Sequence, residues 1–262
     1  MTRQIAVVTG ASRGIGRALV ERLRQRGHVV VAIARSSSDL AGVAAQTGAL
    51  PHVLDVADPL AVEEVFAQML SEVGVPDLLV NNAGVSGASG MTWQHSAEDW
   101  WRVVEINLRG TQLCTRAVLE AMMSRGSGRI VNVSSGAAYY PAWRDNDGLI
   151  NSAYMASKAA IVRFTEALAG ECANYGVKAF SLSPGMVKTE MTAGPFADHW
   201  DDADFWTPMD KGVQLVEDLA SGMLDGLSGR YLRAGVDDWR ALAAQVNEVN
   251  EADAHVLRLR TM

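Results

Sequence analysis

At 262 residues the chain can bury a sizeable core, and it fits one large α/β domain or two small ones. With 48% apolar and 20% charged residues it has the composition of an ordinary globular protein. Its formal charge of −7 and pI near 5.3 argue against the basic surface a nucleic-acid partner needs. No apolar run reaches the ~18 residues of a membrane span. The opening Met-Thr-Arg-Gln also lacks the long apolar segment of a signal peptide. Cys114 and Cys172 both lie inside apolar helical patterns, so two buried thiols in a reducing compartment are expected, with no disulfide and no metal site. The expected location is the cytoplasm.

Taken in order, Ile5–Thr9 is a short apolar run that stops at glycine. Gly10-Ala-Ser-Arg-Gly14-Ile-Gly16 then leads into a helical pattern carrying Ile15, Leu19 and Leu23, which ends near Gly27. His28–Ala34 is a second buried strand, because so short a β-branched run is rarely helical. Strands are expected next at Leu50–Leu54, Asp77–Asn81, Arg129–Val133, Val177–Leu182 and Gly229–Ala234. Helices are expected at Pro59–Val73, Ala97–Leu108, Thr111–Ser124, Ala153–Tyr175 and Lys211–Asp225, with a bend near Gly110. This alternation predicts a doubly wound, parallel α/β sheet with helices on both faces, in one domain spanning 1–262. Two long irregular stretches, about 136–152 and 185–210, leave the carboxyl ends of strands, where open α/β sheets bind ligands. The second carries Phe196, Trp200, Phe205 and Trp206. Those aromatics suit a lid or substrate wall, or else ordinary packing on neighbouring helices. A polar extension follows from about 236 to 262.

Two patterns carry chemistry. Tyr154 and Lys158 are four residues apart, so on a helix they share one face. A cation beside a phenol favours the phenolate, moving its pKa from near 10 toward neutrality, where it can exchange a proton with a carbonyl or alcohol oxygen. The same spacing also occurs as a packing pair with a solvated lysine head. The Gly10–Gly16 cluster permits a tight turn and lets a phosphate approach the backbone at a helix N-terminus. Such turns are sometimes only geometry.

The glycine cluster, Asn81-Asn-Ala-Gly84, Asn107, Val131-Asn-Val-Ser-Ser135, Tyr154-x-x-x-Lys158 and Pro184-Gly185 fall in one order. Together they resemble the short-chain dehydrogenase/reductase family in its single-domain form, over roughly residues 4–235. The resemblance implies a seven-stranded Rossmann-like fold of three α/β/α layers. It makes Tyr154 the catalytic acid/base, with Lys158 lowering its pKa and bonding the nicotinamide ribose. Ser135, rather than Ser134, would orient the substrate oxygen, since strand alternation turns the two to opposite faces. Asn107 would hold a water that passes protons to Lys158. The resemblance further places Gly10, Ser12, Gly14, Ile15 and Gly16 around the pyrophosphate. Asp55 and Val56 would lie at the adenine, and Asn81, Ala83 and Gly84 at the adenosine ribose. Pro184, Gly185, Val187 and Thr189 would hold the nicotinamide.

Cofactor choice turns on the end of the second strand, where an acid selects a free ribose hydroxyl and an arginine selects a 2′-phosphate. Here Ala34-Arg35 has no acid and Arg13 lies in the glycine loop, which predicts NADP(H). Ser135 and Tyr154 are 19 residues apart, a longer spacing than the family's commonest. The extra residues around Tyr139–Leu149 are expected to shape specificity. Gly235-Val-Asp-Asp-Trp239 also departs from the family's usual ending, which puts the tetramer contacts of the last strand in doubt.

The expected function is hydride transfer between NADP(H) and a ketone or secondary alcohol, in a cytoplasmic homodimer or homotetramer with no nucleic-acid or membrane partner. Trp93, Tyr140, Trp143 and the Phe196–Trp206 segment are expected to form a fairly apolar pocket. The alternative is a non-catalytic NADP-binding sensor or scaffold on the same fold. Epimerisation or dehydration of a nucleotide sugar is disfavoured, because too few residues follow Pro184 for a second substrate domain.

Overall fold

Aliphatic runs of five or six residues are too short for helices and too apolar for loops. In the computed structural model, which describes residues 3–140 and 151–258, they become parallel strands. The elements run β1 (Ile5–Thr9), α1 (Gly14–Gln25), β2 (Val29–Ala34), α2 (Ser37–Thr47), β3 (Leu50–Val53), α3 (Pro59–Glu72) and β4 (Leu78–Asn81). They continue with α4 (Ala97–Val104), α5 (Gly110–Arg125), β5 (Gly128–Val133), α6 (Ser152–Glu171), β6 (Val177–Ser183) and α7 (Glu190–Ala193). The last are α8 (Met209–Ser221), β7 (Tyr231–Arg233), α9 (Trp239–Ala244) and α10 (Val246–Glu251). The strands form one sheet in the order β3-β2-β1-β4-β5-β6-β7, every pair parallel. The order reverses between β1 and β4, so a crevice opens there at the strands' carboxyl ends.

Both faces of the sheet are covered, which explains why the strands read as continuous apolar runs instead of alternating ones. Ala6, Val8, Val30, Ala32, Val131 and Phe180 face a core shared with Leu19 and Leu23 of α1 and Leu215 and Leu219 of α8. Val7, Val31, Ile33, Leu79 and Ile130 face the other way, against Phe66 and Met69 of α3 and Val118 and Met122 of α5. Burying each such side chain contributes about 1.5–3 kcal/mol. A polar chain is threaded through this core. The Asn81 amide donates to Asn132 Oδ1 (2.9 Å) and Thr115 Oγ1 (3.0 Å), and the Asn132 amide donates to Thr165 Oγ1 (2.9 Å). These bonds tie β4 and β5 to α5 and α6.

Some elements differ from the sequence expectation. Helix α2 is absent from it, because only Leu40 and Val43 are buried and the helix opens on serines; it forms because the Ser36 hydroxyl caps it by accepting from Asp39 N. The bend near Gly110 is a π-helical turn over Glu105–Arg109, immediately before the glycine. Gly110 has a different role: a Cβ there would lie 2.7 Å from Val56 Cγ2, so the glycine lets α5 sit against the end of β3. Helix α6 ends at Glu171 and α8 at Ser221, each about one turn early. The edge strand β3 stops at Val53 and tolerates Pro51 because one side of it needs no ladder donor. The 185–210 stretch folds into α7 and two short 3-10 turns, and the C-terminal extension into α9 and α10.

Candidate active site

The crevice starts from glycine geometry. Gly10 ends β1 with φ +65°, and a Cβ on it would lie 2.9 Å from Ala83 Cα. A Cβ on Gly16 would lie 2.1 Å from Gly10 O, so the loop cannot close around any other residue. Helix α1 then begins without a side-chain cap and without an acid in its first turn. Helices α2, α3, α4 and α6 instead begin on caps from Ser36, Asp58, Ser96 and Asn151. The first amides of α1 and its positive dipole end therefore remain available at the crevice, which suits the phosphates of a dinucleotide.

The crevice is a cleft of about 760 Å³. Of the residues expected to hold a cofactor, Gly10, Ser12, Arg13, Gly14, Ile15, Arg35, Asp55, Val56, Ala83, Gly84 and Thr189 line it. Gly16 lies just beneath, against Gly10 O. Asn81 does not line it, since it is 3% exposed and its amide is spent inside the sheet. Asn82 borders the cleft instead, donating to Thr9 O (2.9 Å) and Gly10 O (3.2 Å) and so fixing the glycine loop to β4. The sequence carried a signal for this: two asparagines in succession on a strand must point to opposite faces. Pro184, Gly185 and Val187 also lie off the lining; Val187 is buried and its carbonyl accepts from Thr192 Oγ1 (2.8 Å).

Two ion pairs cross the cleft that sequence reasoning missed. Arg13 pairs with Glu190, the first residue of α7, so its guanidinium is not turned freely toward Arg35. At the other end Arg102 of α4 reaches Asp55 at 2.7 Å. Burial would raise the Asp55 carboxyl, but the Ala57 N–H and Arg102, with Arg35 farther off, hold it below the usual carboxylate range. Partners thirty or more residues apart leave no local spacing signal.

At the inner end, Gly84 adjoins Lys158: a Cβ on the glycine would lie 3.5 Å from the Lys158 Nζ. Lys158 is 4% exposed, donates from Nζ to Val133 O at 2.8 Å, and is pushed down to about 8 by burial. Its Nζ stands 5.6 Å from the centroid of the Tyr154 ring. The expectation of a lowered Tyr154 pKa is corrected here. Burial raises it, and the neighbouring Ser135 hydroxyl acts in the opposite direction without overcoming that. The ammonium is engaged by the Val133 carbonyl, so the phenol stays protonated at neutral pH. The two serines diverge. Ser134 is buried and donates to Lys158 O (2.9 Å), while Ser135 Oγ sits by the phenol and accepts from Ala137 N (3.2 Å).

Asn107 lies in the π-helical turn, fully buried. Its Oδ1 accepts from Val85 N (2.8 Å), and its amide donates to Val85 O and Ser157 Oγ (both 3.0 Å). The side chain thus fastens the cleft wall to α6, with its bonding capacity used in doing so.

On the substrate side, Phe196, Trp200, Phe205 and Trp206 pack on one another with ring centroids 5.1–6.4 Å apart. Trp206 also donates to His199 O at 2.7 Å. The cluster is held together by its own contacts, with Lys188 Nζ 5.3 Å above Trp200. Trp93 and Tyr140 are exposed. Trp143 and residues 141–149 of the lengthened loop lie outside the described residues. Among the described residues there is no group of three or more metal-binding side chains, and no helix is long and apolar enough to cross a membrane.

The parallel sheet, the uncapped glycine turn and the Tyr–Lys pair together define a Rossmann-like fold with a dinucleotide-type crevice. The short chain dehydrogenase family model matches residues 4–200, and the chain belongs to that family. It is 39% identical to a short chain dehydrogenase of Pseudocercospora fijiensis over 194 residues, 72% of this chain but 61% of that protein. It is 36% identical to the 3-oxoacyl-[acyl-carrier-protein] reductase FabG of Escherichia coli (strain K12), over 72% of this chain and 75% of FabG. Among solved structures, one described as ribose-5-phosphate isomerase from Brucella melitensis superimposes with TM-score 0.81 and 32% identity. That match covers 99% of this chain and 98% of that one. A point variant of actinorhodin polyketide ketoreductase with NADPH follows at TM-score 0.80 and 28% identity, over 90% and 98%.

Proposed function

We propose that this protein is an NADP(H)-dependent oxidoreductase that interconverts a ketone and a secondary alcohol, with Tyr154 as general acid/base. The observation that carries the reading is the placement on one face of α6 of a phenol that burial keeps protonated and a buried Lys158. They stand at the inner end of an uncapped, glycine-lined cleft. Gly10, Ser12, Gly14, Ile15 and Gly16 would hold the pyrophosphate, Asp55 and Val56 the adenine, and Ala83 and Gly84 the ribose. Thr189, with Pro184, Gly185 and Val187, would flank the nicotinamide. When bound, the nicotinamide supplies or accepts the hydride.

In the direction of reduction, Tyr154 Oη donates its proton to the carbonyl oxygen and Ser135 Oγ holds that oxygen in place. Lys158, already near 8, carries a positive charge beside the phenolate left behind and exchanges a proton near neutral pH. Asn107 keeps the wall at Val85 and the helix at Ser157 in fixed relation. Support for the phosphorylated cofactor comes from Arg35, which lies in the cleft at the end of β2. No acid precedes Asp39, which stands within the first turn of α2. The polyketide ketoreductase that this chain resembles was solved with NADPH.

The test follows nicotinamide absorbance with purified protein across a panel of ketones, aldehydes and alcohols. NADPH consumption that depends on the carbonyl, at higher kcat/KM than with NADH, is expected; a preference for NADH contradicts the cofactor assignment. The full-length likeness to the structure described as an isomerase favours a second reading, aldose–ketose isomerisation. Conversion of ribose 5-phosphate without net nicotinamide turnover would establish that reading in place of the first.

A further inference from the structure

The residue that opens helix α6 touches three things at once. Asn151 is 9% exposed, and its Oδ1 accepts from the backbone N–H of Tyr154 at 3.0 Å. Its amide nitrogen uses both hydrogens on the facing wall of the cleft, donating to Ser86 O at 2.5 Å and Ala88 O at 2.7 Å. Ser86 itself lines the cleft. One residue on, Ser152 Oγ accepts from Trp100 Nε1 and Thr92 Oγ1, both at 3.0 Å. An ordinary N-cap needs only the acceptor oxygen, which Ser, Thr or Asp supplies equally well. The two donors of the asparagine are what this site uses in addition.

We propose that Asn151 is a positioning residue for the Tyr154 proton transfer, its amide holding the 86–88 wall at a fixed distance from the first turn of α6. The inference rests on Tyr154 being the acid/base. The phenol and the cleft wall belong to different elements, one on α6 and one on the segment after β4. Asn107 joins them at Val85 and Ser157, but nothing in that joint reaches Tyr154's own amide. Asn151 closes the joint at the residue that does the chemistry. A phenol displaced by about 1 Å loses roughly a hundredfold in rate, so a joint at this point acts on kcat more than on affinity.

The decisive variants separate the cap from the donors. Asn151→Ser retains a capping oxygen and loses both donors; Asn151→Asp also caps, and sets a carboxylate against two carbonyls. Both are expected to lower kcat by about tenfold to a hundredfold per NADPH-binding site, with the substrate KM changed by less than about threefold. Hydrogen exchange of amides 86–90 should accelerate by at least about tenfold while the β1, β4 and β5 amides keep their protection. A merely structural cap predicts neither effect for Asn151→Ser. Unchanged kcat, or unchanged exchange at 86–90, overturns the inference. Should Asn151→Ser not fold, Trp100→Phe removes a donor to Ser152 at the same joint and is read by the same exchange. Loss of protection at 86–90 supports the joint, and full protection overturns it. If the wild-type protein turns over no carbonyl at all, the oxidoreductase reading has failed, and the exchange experiment still decides whether Asn151 couples wall to helix.

Discussion

Lys158 gives the sharpest physical prediction. A lysine that is 4% exposed and held near 8 costs the folded state whenever it is charged, because the unfolded chain binds the same proton with a pKa near 10.5. The difference of about 2.5 units at about 1.4 kcal/mol each corresponds to a penalty of about 3 kcal/mol at pH 7. Between about pH 8 and 10.5 the unfolded state binds more protons than the folded one, so this penalty shrinks as pH rises. By pH 9.5 roughly 1 kcal/mol remains, so the lysine's contribution improves by about 2 kcal/mol across that interval. Lys158→Met removes the titration and keeps the apolar stem. The assay is urea unfolding of both proteins at closely spaced pH values from 7 to 9.5, taking the difference in unfolding free energy at each. The wild type should gain on Lys158→Met by about 2 kcal/mol as pH rises. A difference that is flat, or that falls with pH, would refute the assignment of a depressed buried ammonium. Differencing removes the alkaline titration of every other group, Tyr154 excepted, whose raised pKa places its titration above this range.

Other predictions concern the cleft and the core. Arg35→Ala should lower kcat/KM for NADPH by about tenfold to a hundredfold, the equivalent of one charge-assisted bond to phosphate, with under about threefold effect on NADH. Equal losses with both cofactors would remove Arg35 from the 2′-phosphate. Gly16→Ala places a Cβ 2.1 Å from Gly10 O, so NADPH affinity measured by fluorescence titration should fall at least about tenfold. Unaltered affinity would mean that the glycine loop does not hold the cofactor. Asn132→Ala deletes the bonds to Asn81 and Thr165 inside the sheet and leaves a small cavity. A loss of about 2–3 kcal/mol, or roughly 5–10 °C in Tm by calorimetry, is expected, and a shift under about 1 °C would show the network to be dispensable.

The sheet was legible because each of its strands is an aliphatic run bounded by turn residues. Runs buried on both faces have no other reading once helices alternate with them. What escaped was carried by weaker or more distant signals. Helix α2 buries two side chains, too few to make a stripe, and depends on its cap. The π-helical turn at Asn107 comes from tertiary fit against the cleft wall, so the visible glycine drew the bend to itself. At the site, the Tyr–Lys spacing located the chemistry, and the glycines located the cleft. The sign of the Tyr154 shift depends on burial and on where the ammonium finds its acceptor, and neither is encoded in a four-residue spacing. The pairs Arg13–Glu190 and Arg102–Asp55 join segments 177 and 47 residues apart, and only the folded chain brings them together.

The central claim is that Tyr154 moves the proton while a nicotinamide cofactor moves the hydride. Its most direct test is single-turnover NADPH oxidation, with a carbonyl that the wild type reduces, by wild type and Tyr154→Phe, each first shown to bind NADPH equally. The account predicts a rate at least about a thousandfold lower in the variant, of the order general acid catalysis supplies. Wild-type turnover by Tyr154→Phe at equal NADPH occupancy would contradict it.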